Sequence, residues 1–468
     1  MDRADFDRIN DTFLAFHAEF APTFGRKEWR LRSQDYLRGL LVQTQERGNA
    51  ENLSEAVEGA SERVLQRFLT EAQWDDAAVT AHLQRYLAPR LTHPDAVWAV
   101  DGSSFPKQGK KSVGVARQYC GALGKVANCQ VGVFLAHVGP RGRALVGKRL
   151  YLPREWIQDP ARCTAAAVPA DQQTYQSQSE LALALLREAK QWGHLTAPWV
   201  TGDDEYGQSP AFRDGVADEG WQYVLEVPSA TPVWPREPTW VTRPYRGRGR
   251  PPVPQPVAAE RREARERAAA LPATAWTVLT VAEGAQGPRT YRFACERVRD
   301  SREGQPGVEV WLLHRQNLDG SEPRYYFSNA GWETPLGTLA RISASRWPIE
   351  TEFKEEKSQV ALDEYEVRRW PGWHHHITMC FLAAAFLLTL QQEWGEKDAP
   401  AHAAAGASDR VRTAAAQALD PRPTVGVATQ DAVAQRAGQA VARPAAAIGA
   451  TRAGGAGAGG PGSLISSL

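Results

Sequence analysis

Two apolar segments that each end in an aspartate constrain the fold of this chain most. Residues 96–100 and 198–202 are short and apolar, and they are followed directly by Asp101 and Asp203. Between them, residues 179–192 carry apolar side chains four positions apart, which indicates an amphipathic helix. Strands that alternate with helices predict an α/β fold with a mixed sheet covered on both faces. In such a sheet, acids at the ends of strands can meet at one edge.

A third acid lies late in the chain on a predicted helix. Arg346, Glu350 and Lys357 are spaced four and seven residues apart, so they share one stripe of that helix. A carboxylate flanked by two cations fits a face that meets a metal ion and a phosphate backbone. An exposed helix with surface ion pairs is the alternative explanation.

Together the three acids could hold a pair of divalent ions. Asp101, Asp203 and Glu350 would supply the oxygen ligands that suit Mg²⁺, with Mn²⁺ as a substitute. Two such ions activate an attacking water or 3′-hydroxyl and stabilise the leaving oxygen in phosphoryl transfer. For each aspartate taken alone, a turn-forming residue at the end of a strand is a sufficient explanation.

Composition and pattern predict five parts of the chain. Apolar residues at helical spacing characterise the first part, and strand-like segments with turn residues fill a long interval before the last acid. The last part has no Trp, Tyr or Phe and is rich in Ala, Gly and Pro, so we expect most of it to be disordered; a shifted reading frame would produce the same composition. The parts are a helical DNA-binding domain (1–90), the first part of the core (91–228), a β-rich insertion (229–335), the second part of the core (336–397) and a low-complexity tail (398–468).

The whole-chain composition excludes several classes of protein. The formal net charge is +1, so any nucleic-acid surface must be local. Five scattered cysteines lack the spacing of a zinc site or a disulfide framework and indicate a reducing compartment. No apolar segment follows the N-terminus, so we expect no signal peptide. The apolar residues 377–390 are too few to cross a bilayer and predict a buried helix.

Basic residues occur at several places where DNA contact is possible. Residues 53–69 have the pattern of two helices joined by a glycine turn, with Ser61 capping the second helix, as in a helix-turn-helix. Residues 247–251 resemble the core of an AT-hook, which fits a narrow minor groove. The alternatives are a helix pair that binds no DNA for residues 53–69, a flexible basic linker for residues 247–251, and a solvated loop for the lysines that follow Asp101. The candidate DNA-contacting residues are Arg346, Lys357, Lys107, Lys110, Lys111, Arg117, Arg248, Arg250, Arg63 and Arg67.

Three adjacent histidines, His374, His375 and His376, precede the predicted buried helix. Neighbouring side chains on a helix point in different directions, so the three cannot all face one metal ion. Packing and solvent exposure explain them better than ligation.

Beyond these patterns, the chain resembles the DDE transposases of bacterial insertion sequences, in the cut-and-paste branch with a Tyr-Arg-Glu-Lys motif. Residues 101–119 resemble the block around the first acid, and residues 203–207 resemble the block around the second. The third block is matched at its spacing by Arg346, Glu350 and Lys357. In the second block an acid stands three residues before Tyr-Gly, which selects Asp203 over Asp204. The motif's tyrosine is replaced by Ser343.

The resemblance implies an RNase H-like catalytic core with a β-rich insertion before the last acid. It also implies two-metal cleavage and strand transfer at the terminal inverted repeats of an element, by a homodimer that binds double-stranded element ends and target DNA. A bacterial cytoplasmic location near the nucleoid, with no membrane association, follows from the same resemblance. There are three alternatives. The chain could be a structure-selective nuclease, a catalytically inactive DNA-binding regulator derived from a transposase, or a scaffold whose acids only cap strands.

Overall fold

The computed structural model describes residues 2–42, 48–244, 250, 252–284, 287–398 and 404–420. Helices and strands are numbered separately in chain order. The helices are α1 Arg3–Phe20, α2 Lys27–Val42, α3 Ala50–Glu55, α4 Glu62–Thr70, α5 Asp76–Leu91, α6 Arg154–Ile157, α7 Pro160–Ala165, α8 Gln178–Trp192, α9 Asp204–Gly207, α10 Pro210–Asp218, α11 Ala264–Ala270, α12 Leu336–Ala344, α13 Trp347–Val360, α14 Trp370–Asp398 and α15 Ala404–Leu419. The strands are β1 Val97–Pro106, β2 Ala116–Cys120, β3 Lys125–Gly139, β4 Gly142–Leu150, β5 Trp199–Gly202, β6 Gln222–Val227, β7 Pro232–Trp234, β8 Trp240–Val241, β9 Gln255–Pro256, β10 Arg262–Glu263, β11 Thr277–Gly284, β12 Gly287–Arg302, β13 Gln305–Gln316 and β14 Arg324–Ser328.

Five strands form the centre of the large sheet in the order β4–β3–β1–β5–β6. β3 is antiparallel to both of its neighbours, whereas β1, β5 and β6 are parallel to one another. Parallel neighbours need a crossover connection, and the chain between β4 and β5 supplies one through α8. This order and these directions are those of an RNase H-like core, so the predicted α/β fold is confirmed.

The strands predicted as an insertion extend the same sheet. β14 is antiparallel to β6, and the sheet continues outward through β13, β12, β7 and β10. Only the short pair β8 and β9 forms a separate sheet among the strands of the described residues. The interval 229–335 is therefore rich in strands and continuous with the core sheet, and the domain boundaries drawn there stay a prediction.

The long helix α14 lies at the centre of the helical layer. Length and composition alone would allow its segment Trp370–Glu393 to cross a membrane, but 89% of the apolar window in this segment is buried within the protein. Phe386 packs edge-on against Phe13 of α1 at a ring-centroid distance of 5.6 Å. The predicted buried helix is confirmed, and it is longer than the apolar segment on which the prediction rested.

The three adjacent histidines join α14 to the N-terminal helices. His376 shares a 2.8 Å hydrogen bond with the Tyr36 hydroxyl, and His375 lies 2.7 Å from the Leu69 carbonyl oxygen. His374 lies 3.5 Å from the Asp76 carboxylate. All three are buried, and burial lowers the pKa of His376 to about 3. Packing is confirmed as their role, and the expectation of solvent exposure is wrong.

The expectation of a disordered tail is wrong for residues 404–420. They form α15, which packs against α1, α2 and α14. Ala415 and Leu419 are fully buried there, and Arg38 of α2 donates to the Leu419 carbonyl oxygen at 3.0 Å. Small alanine side chains allow this close helix packing, although they give the segment a low-complexity composition. Residues 399–403 and 421–468 lie outside the described residues.

A buried ion pair joins α10 to β12. The Arg213 guanidinium donates to the Asp300 carboxylate at 2.5 Å, and the two side chains are only 3% and 1% exposed. Arg213 also donates to the Gly207 carbonyl oxygen at 2.5 Å. Arg302 donates to Asp300 at 2.9 Å and to Asp214 through two nitrogens at 2.7 and 2.8 Å. This network fixes the distal strands against the segment that follows Asp203.

We expect Asp300→Ala to lower the free energy of unfolding by about 3–5 kcal/mol, because it leaves the Arg213 charge buried without its carboxylate. Denaturant titration followed by circular dichroism measures the change. The control is Glu71→Ala, which removes an ion pair whose side chains are 62% and 56% exposed and is expected to cost at most about 1 kcal/mol. Equal losses in the two variants would contradict the role of the buried pair.

Candidate active site

Three acidic residues each stand one position after a row of paired residues in the parallel strands β1, β5 and β6. Val100 of β1 pairs with Gly202 of β5, and Gly202 pairs with Leu225 of β6. The next residue in each segment is acidic, and these residues are Asp101, Asp203 and Glu226. Because side chains alternate along a strand, residues at one level of the sheet share a face. The register therefore brings carboxylates from three separate segments to one end of the core.

The Arg346 guanidinium lies among these carboxylates. Its Nη1 is 2.7 Å from Glu350 Oε1 and 4.0 Å from Asp101 Oδ2, and its Nε is 3.4 Å from Glu226 Oε2. Its charge also acts on the Asp203 carboxyl group. Arg346 immediately precedes α13, so the start of this helix carries both the cation and the third predicted acid to the end of the sheet. The structure brings together the three acids that the sequence nominated.

Burial dominates the electrostatics of the two aspartates. Burial, reinforced by the Asp203 carboxylate, raises the pKa of Asp101 to about 8, against the opposing effect of Arg346. Burial likewise raises the pKa of Asp203 to about 6, again opposed by Arg346. Both groups have an ordinary pKa of 3.8. Near neutral pH the site therefore favours a protonated Asp101 unless more positive charge enters it.

The Arg346 guanidinium is the positive charge that the carboxylates of Asp101, Glu226 and Glu350 share. Burial alone would lower its pKa, but the carboxylates of Glu350, Asp101 and Glu226 raise it above the ordinary value. The guanidinium is therefore charged at every pH at which the protein is folded.

The donor set fits a divalent cation by its chemistry. It consists of carboxylate oxygens, the ligands of Mg²⁺ and Mn²⁺, and a divalent ion beside Asp101 and Asp203 would lower the pKa of both. Within the part of the chain that the structure describes, no three His, Cys, Asp or Glu side chains are arranged to hold a metal ion. Arg346 lies between Asp101 and Glu350 instead, so the two carboxylates can share an ion only if its guanidinium moves away.

Glu226 is the acid that the sequence reasoning missed. It is buried, accepts from Arg324 at 2.9 Å and faces Arg346. Its signal in the sequence is a single acid in the otherwise apolar end of β6, one strand beyond the aspartate of β5. Only the register of the strands shows that it belongs to the same row.

Gly207 allows the segment after Asp203 to approach β6 closely. A Cβ atom at this position would overlap the carbonyl oxygen of Glu226, so any larger residue would push the short helix α9 away from the sheet. Asp203 caps that helix by accepting from the Glu205 backbone N–H at 3.0 Å. The second acid is therefore held by a helix cap and by a glycine contact.

Two of the predicted DNA-contacting lysines make contacts within the protein. Lys357 Nζ donates to the Ser104 carbonyl oxygen at 3.4 Å, and burial lowers its pKa. Lys107 Nζ donates to the Tyr365 carbonyl oxygen at 3.0 Å and lies 3.6 Å from the centroid of the Tyr365 ring. Burial lowers the pKa of Lys107 to about 8. Both lysines help to position loops near β1, and their contact with DNA stays a prediction.

Most of the other predicted DNA-contacting residues are exposed on the surface of the protein. Arg67 pairs with Glu71 at 2.7 Å on the exposed face of α4. Ser61 occupies the N-cap of α4, as predicted, and its side chain makes no capping hydrogen bond. Arg248 lies outside the described residues. The candidates that are exposed are Lys110, Lys111, Arg117, Arg250, Arg63 and Arg67.

Ser343 does not reach the acids. It is buried in α12, and its hydroxyl donates to the Ala340 carbonyl oxygen at 2.8 Å. The position at which the resembling transposases carry a tyrosine therefore contributes no phosphate contact here.

An RNase H-like sheet with carboxylates gathered at one end of its parallel strands defines an α/β protein whose acidic site suits phosphodiester chemistry. A family model described as "DDE superfamily endonuclease" matches residues 19–288, more than half of the chain. The chain belongs to this family, whose members generally use divalent metal ions. The match includes Asp101, Asp203 and Glu226 and ends before α13, so the placement of Glu350 rests on the structure.

Comparison with solved structures gives only distant likeness. A piggyBac transposase synaptic complex with hairpin DNA is 10% identical, with a TM-score of 0.38, over 89% of this chain and 78% of that chain. The NurA nuclease from Sulfolobus solfataricus is 10% identical, with a TM-score of 0.22, over 63% of this chain and 83% of that chain. Both scores are below 0.5, so the fold assignment rests on sheet order. No curated protein sequence matches the chain.

We expect Asp101→Asn to raise the melting temperature of the metal-free protein at pH 9 by on the order of 5 °C. The folded-state pKa of about 8 exceeds the ordinary 3.8, so ionising Asp101 destabilises the folded state. This destabilisation is absent below pH 4, grows between pH 4 and pH 8, and is complete above pH 8. Scanning calorimetry from pH 5 to pH 9 measures it.

The control for that experiment is Asp204→Asn, which changes the neighbouring exposed acid and is expected to leave the melting temperature near that of the wild type. A stabilisation by Asp101→Asn that does not grow with pH would contradict the electrostatic account of the site.

Proposed function

We propose that this chain is an insertion-sequence DNA transposase that cuts and joins the ends of its element with two divalent ions, Mg²⁺ or in its place Mn²⁺. One observation carries the proposal: Asp101, Asp203 and Glu350 lie around one guanidinium, although they are far apart in the sequence. A scaffold whose acids only cap strands has no need of this convergence. Membership of an endonuclease family supports phosphodiester cleavage as the chemistry.

In this proposal Asp101, Asp203 and Glu350 hold the ions. When bound, the ions supply an activated water or 3′-hydroxyl and a stabilised leaving oxygen. Glu226 forms an ion pair with the Arg346 Nε, whereas Glu350 pairs with Nη1, so Glu226 would keep the guanidinium oriented at the edge of the site. A guanidinium held there can bind a phosphate through two nitrogens. Arg346 would thus exchange a carboxylate partner for the DNA backbone when the ions enter.

The remaining parts of the proposal concern DNA and assembly. The helices of residues 1–90 would recognise the terminal inverted repeats, with Arg63 and Arg67 on the exposed side of α4. The exposed Lys110 and Lys111, in the loop that follows the first acid, would contact the DNA backbone. We propose a homodimer that holds two element ends, acting in the bacterial cytoplasm near the nucleoid.

A second candidate is a DNA-binding regulator without catalytic activity. The position of Arg346 between Asp101 and Glu350 favours it, because a guanidinium that stayed there would exclude a shared ion. The two proposals predict opposite results when the protein is given DNA and Mg²⁺.

We expect the wild-type protein to cut duplexes that contain the DNA flanking its own gene when Mg²⁺ is present. Asp101→Asn, Asp203→Asn and Glu350→Gln are each expected to reduce cutting by at least about 1000-fold, because each removes a metal ligand. Mapping of end-labelled strands on a sequencing gel measures cutting, and gel-shift titration tests whether binding persists.

Asp204→Asn is the matched control and is expected to cut like the wild type. Cutting at the wild-type rate by any of the three site variants would refute the role of that residue. Binding without cutting by the wild type would favour the regulator. Cutting without joining of a pre-cut 3′-end to a second duplex would favour a nuclease without strand transfer.

A further inference from the structure

The segment that follows the first acid is entirely free of carboxylate side chains. Residues 102–154 contain no Asp or Glu, although the whole chain has nearly equal numbers of acidic and basic residues, 54 and 55. The segment nevertheless includes the strands next to Asp101. Its basic residues are Lys107, Lys110, Lys111, Arg117, Lys125, Arg141, Arg143, Lys148, Arg149 and Arg154. Arg143, Lys148 and Arg149 pair with acids of other segments. The exposed cations Lys110, Lys111, Arg117 and Lys125 are the charge that a polyanion would meet.

A two-stranded ribbon projects from the sheet in the middle of this segment. β2 pairs with the first five residues of β3, from Ala116 with Cys129 to Cys120 with Lys125. β1 ends at the level of Cys129, where it pairs through Pro106. Residues 116–129, which we name the β2–β3 ribbon, therefore continue beyond the pairing of β3 with β1, and the turn of the ribbon packs back against Ser104 of β1.

One face of the β2–β3 ribbon exposes large apolar side chains. Tyr119 and Val126 are direct cross-strand partners and are 66% and 52% exposed. Leu123, in the turn between the strands, is 48% exposed. The exposed cation Arg117, two residues before Tyr119, is on the same face, whereas the exposed Lys125 pairs with Cys120 and belongs to the opposite face at the end of the strand. The opposite face packs its cysteines, Cys120 and Cys129, into a small buried cluster.

The turn end of the ribbon is fixed against β1, beside the candidate active site. Ser104 Oγ accepts from the Ala122 backbone N–H at 3.0 Å and lies 3.5 Å from Cys120 Sγ. The Ser104 carbonyl oxygen accepts from Lys357 of α13. Ser104 is three residues after Asp101 in β1, a separation of about 10 Å along the strand. That distance equals about three steps of a DNA strand.

We propose that the β2–β3 ribbon enters the DNA about three base pairs from the cut and that Tyr119, with Val126, wedges into a base step there. Apolar side chains inserted between base steps unstack and kink a duplex, and cations on neighbouring phosphates offset the energy that this requires. Arg117, on the face of the wedge, and Lys125, at the end of the strand, are the exposed cations of the ribbon that would make those phosphate contacts. This inference rests on the proposed function, and it assigns the opening of the duplex beside the cut to a defined element.

A second copy of the chain is a less suitable occupant of the same face. In a symmetric contact each ribbon would meet itself, so Arg117 would face the identical cation of the other copy. Residues 102–154 have no acid to compensate that repulsion. Duplex DNA would cover the apolar pair and neutralise Arg117 at once.

The test uses full-length protein that carries Asp101→Asn, so that DNA is bound and not cut. Duplexes of the gene's own flanking DNA carry 2-aminopurine at successive positions around the cut that the wild type makes. We expect its fluorescence to rise at one step about three base pairs from the cut, because the base there is unstacked. Adding Tyr119→Ala is expected to abolish that rise while DNA binding persists, and adding Tyr119→Phe, which keeps the ring, is expected to preserve it.

Salt titration tests the two cations separately. Arg117→Ala and Lys125→Ala are each expected to reduce the slope of log K against log salt by about 1. Arg187→Ala, which removes an exposed cation of α8, serves as the control and leaves the slope unchanged.

The possible outcomes separate this inference from the function on which it rests. Fluorescence that is flat at every step, or that Tyr119→Ala leaves unchanged, overturns the wedge although cutting by the wild type continues. A change of oligomeric state caused by Tyr119→Ala in the absence of DNA assigns the face to a second copy and also overturns it. Wild-type protein that neither binds nor cuts the flanking DNA overturns the transposase proposal and the wedge together.

Discussion

The shared register of β1, β5 and β6 sets up the interaction on which the rest of the structure depends. It brings Asp101, Asp203 and Glu226 side by side, and it does so where little water can screen them. Carboxylates at that range repel one another, and burial adds to the energy of ionising them. The site is therefore stable only with positive charge at its centre.

Helix α13 supplies that charge in this structure through Arg346, and the same helix carries Glu350 and Lys357. Its position thus decides the charge balance and the composition of the site together. The raised pKa values of the two aspartates mark a site whose electrostatics favour a further cation. We infer that divalent ions take over the role that the guanidinium has in the isolated chain, so that Arg346 becomes able to bind a phosphate. Strain of this kind is retained at functional sites at the expense of stability.

The sequence predicted the elements that carry chemistry better than it predicted their surroundings. Asp101 and Asp203 could be nominated because each directly follows an apolar segment, although β1 continues past Asp101 to Pro106. Glu350 could be nominated because its neighbours repeat at helical spacing. Glu226 could not, because one acid in a strand gives no sign of register. The packing of α15 was missed because a composition rich in alanine does not distinguish a disordered segment from a helix with a close-packed small-residue face. Lys107 and Lys357 were nominated from charge alone, whereas their contacts with Tyr365 and Ser104 depend on loops whose paths no local pattern fixes.

The central claim is that acids from β1, the end of β5 and α13 together bind divalent ions. Titration of the DNA-bound protein with Mn²⁺, followed by electron paramagnetic resonance, tests it most directly. The account predicts two strongly bound ions per chain in the wild type, and loss of at least one of them in Asp101→Asn, Asp203→Asn and Glu350→Gln but not in Asp204→Asn. The same number of bound ions in all five proteins, or none in the wild type, would contradict it.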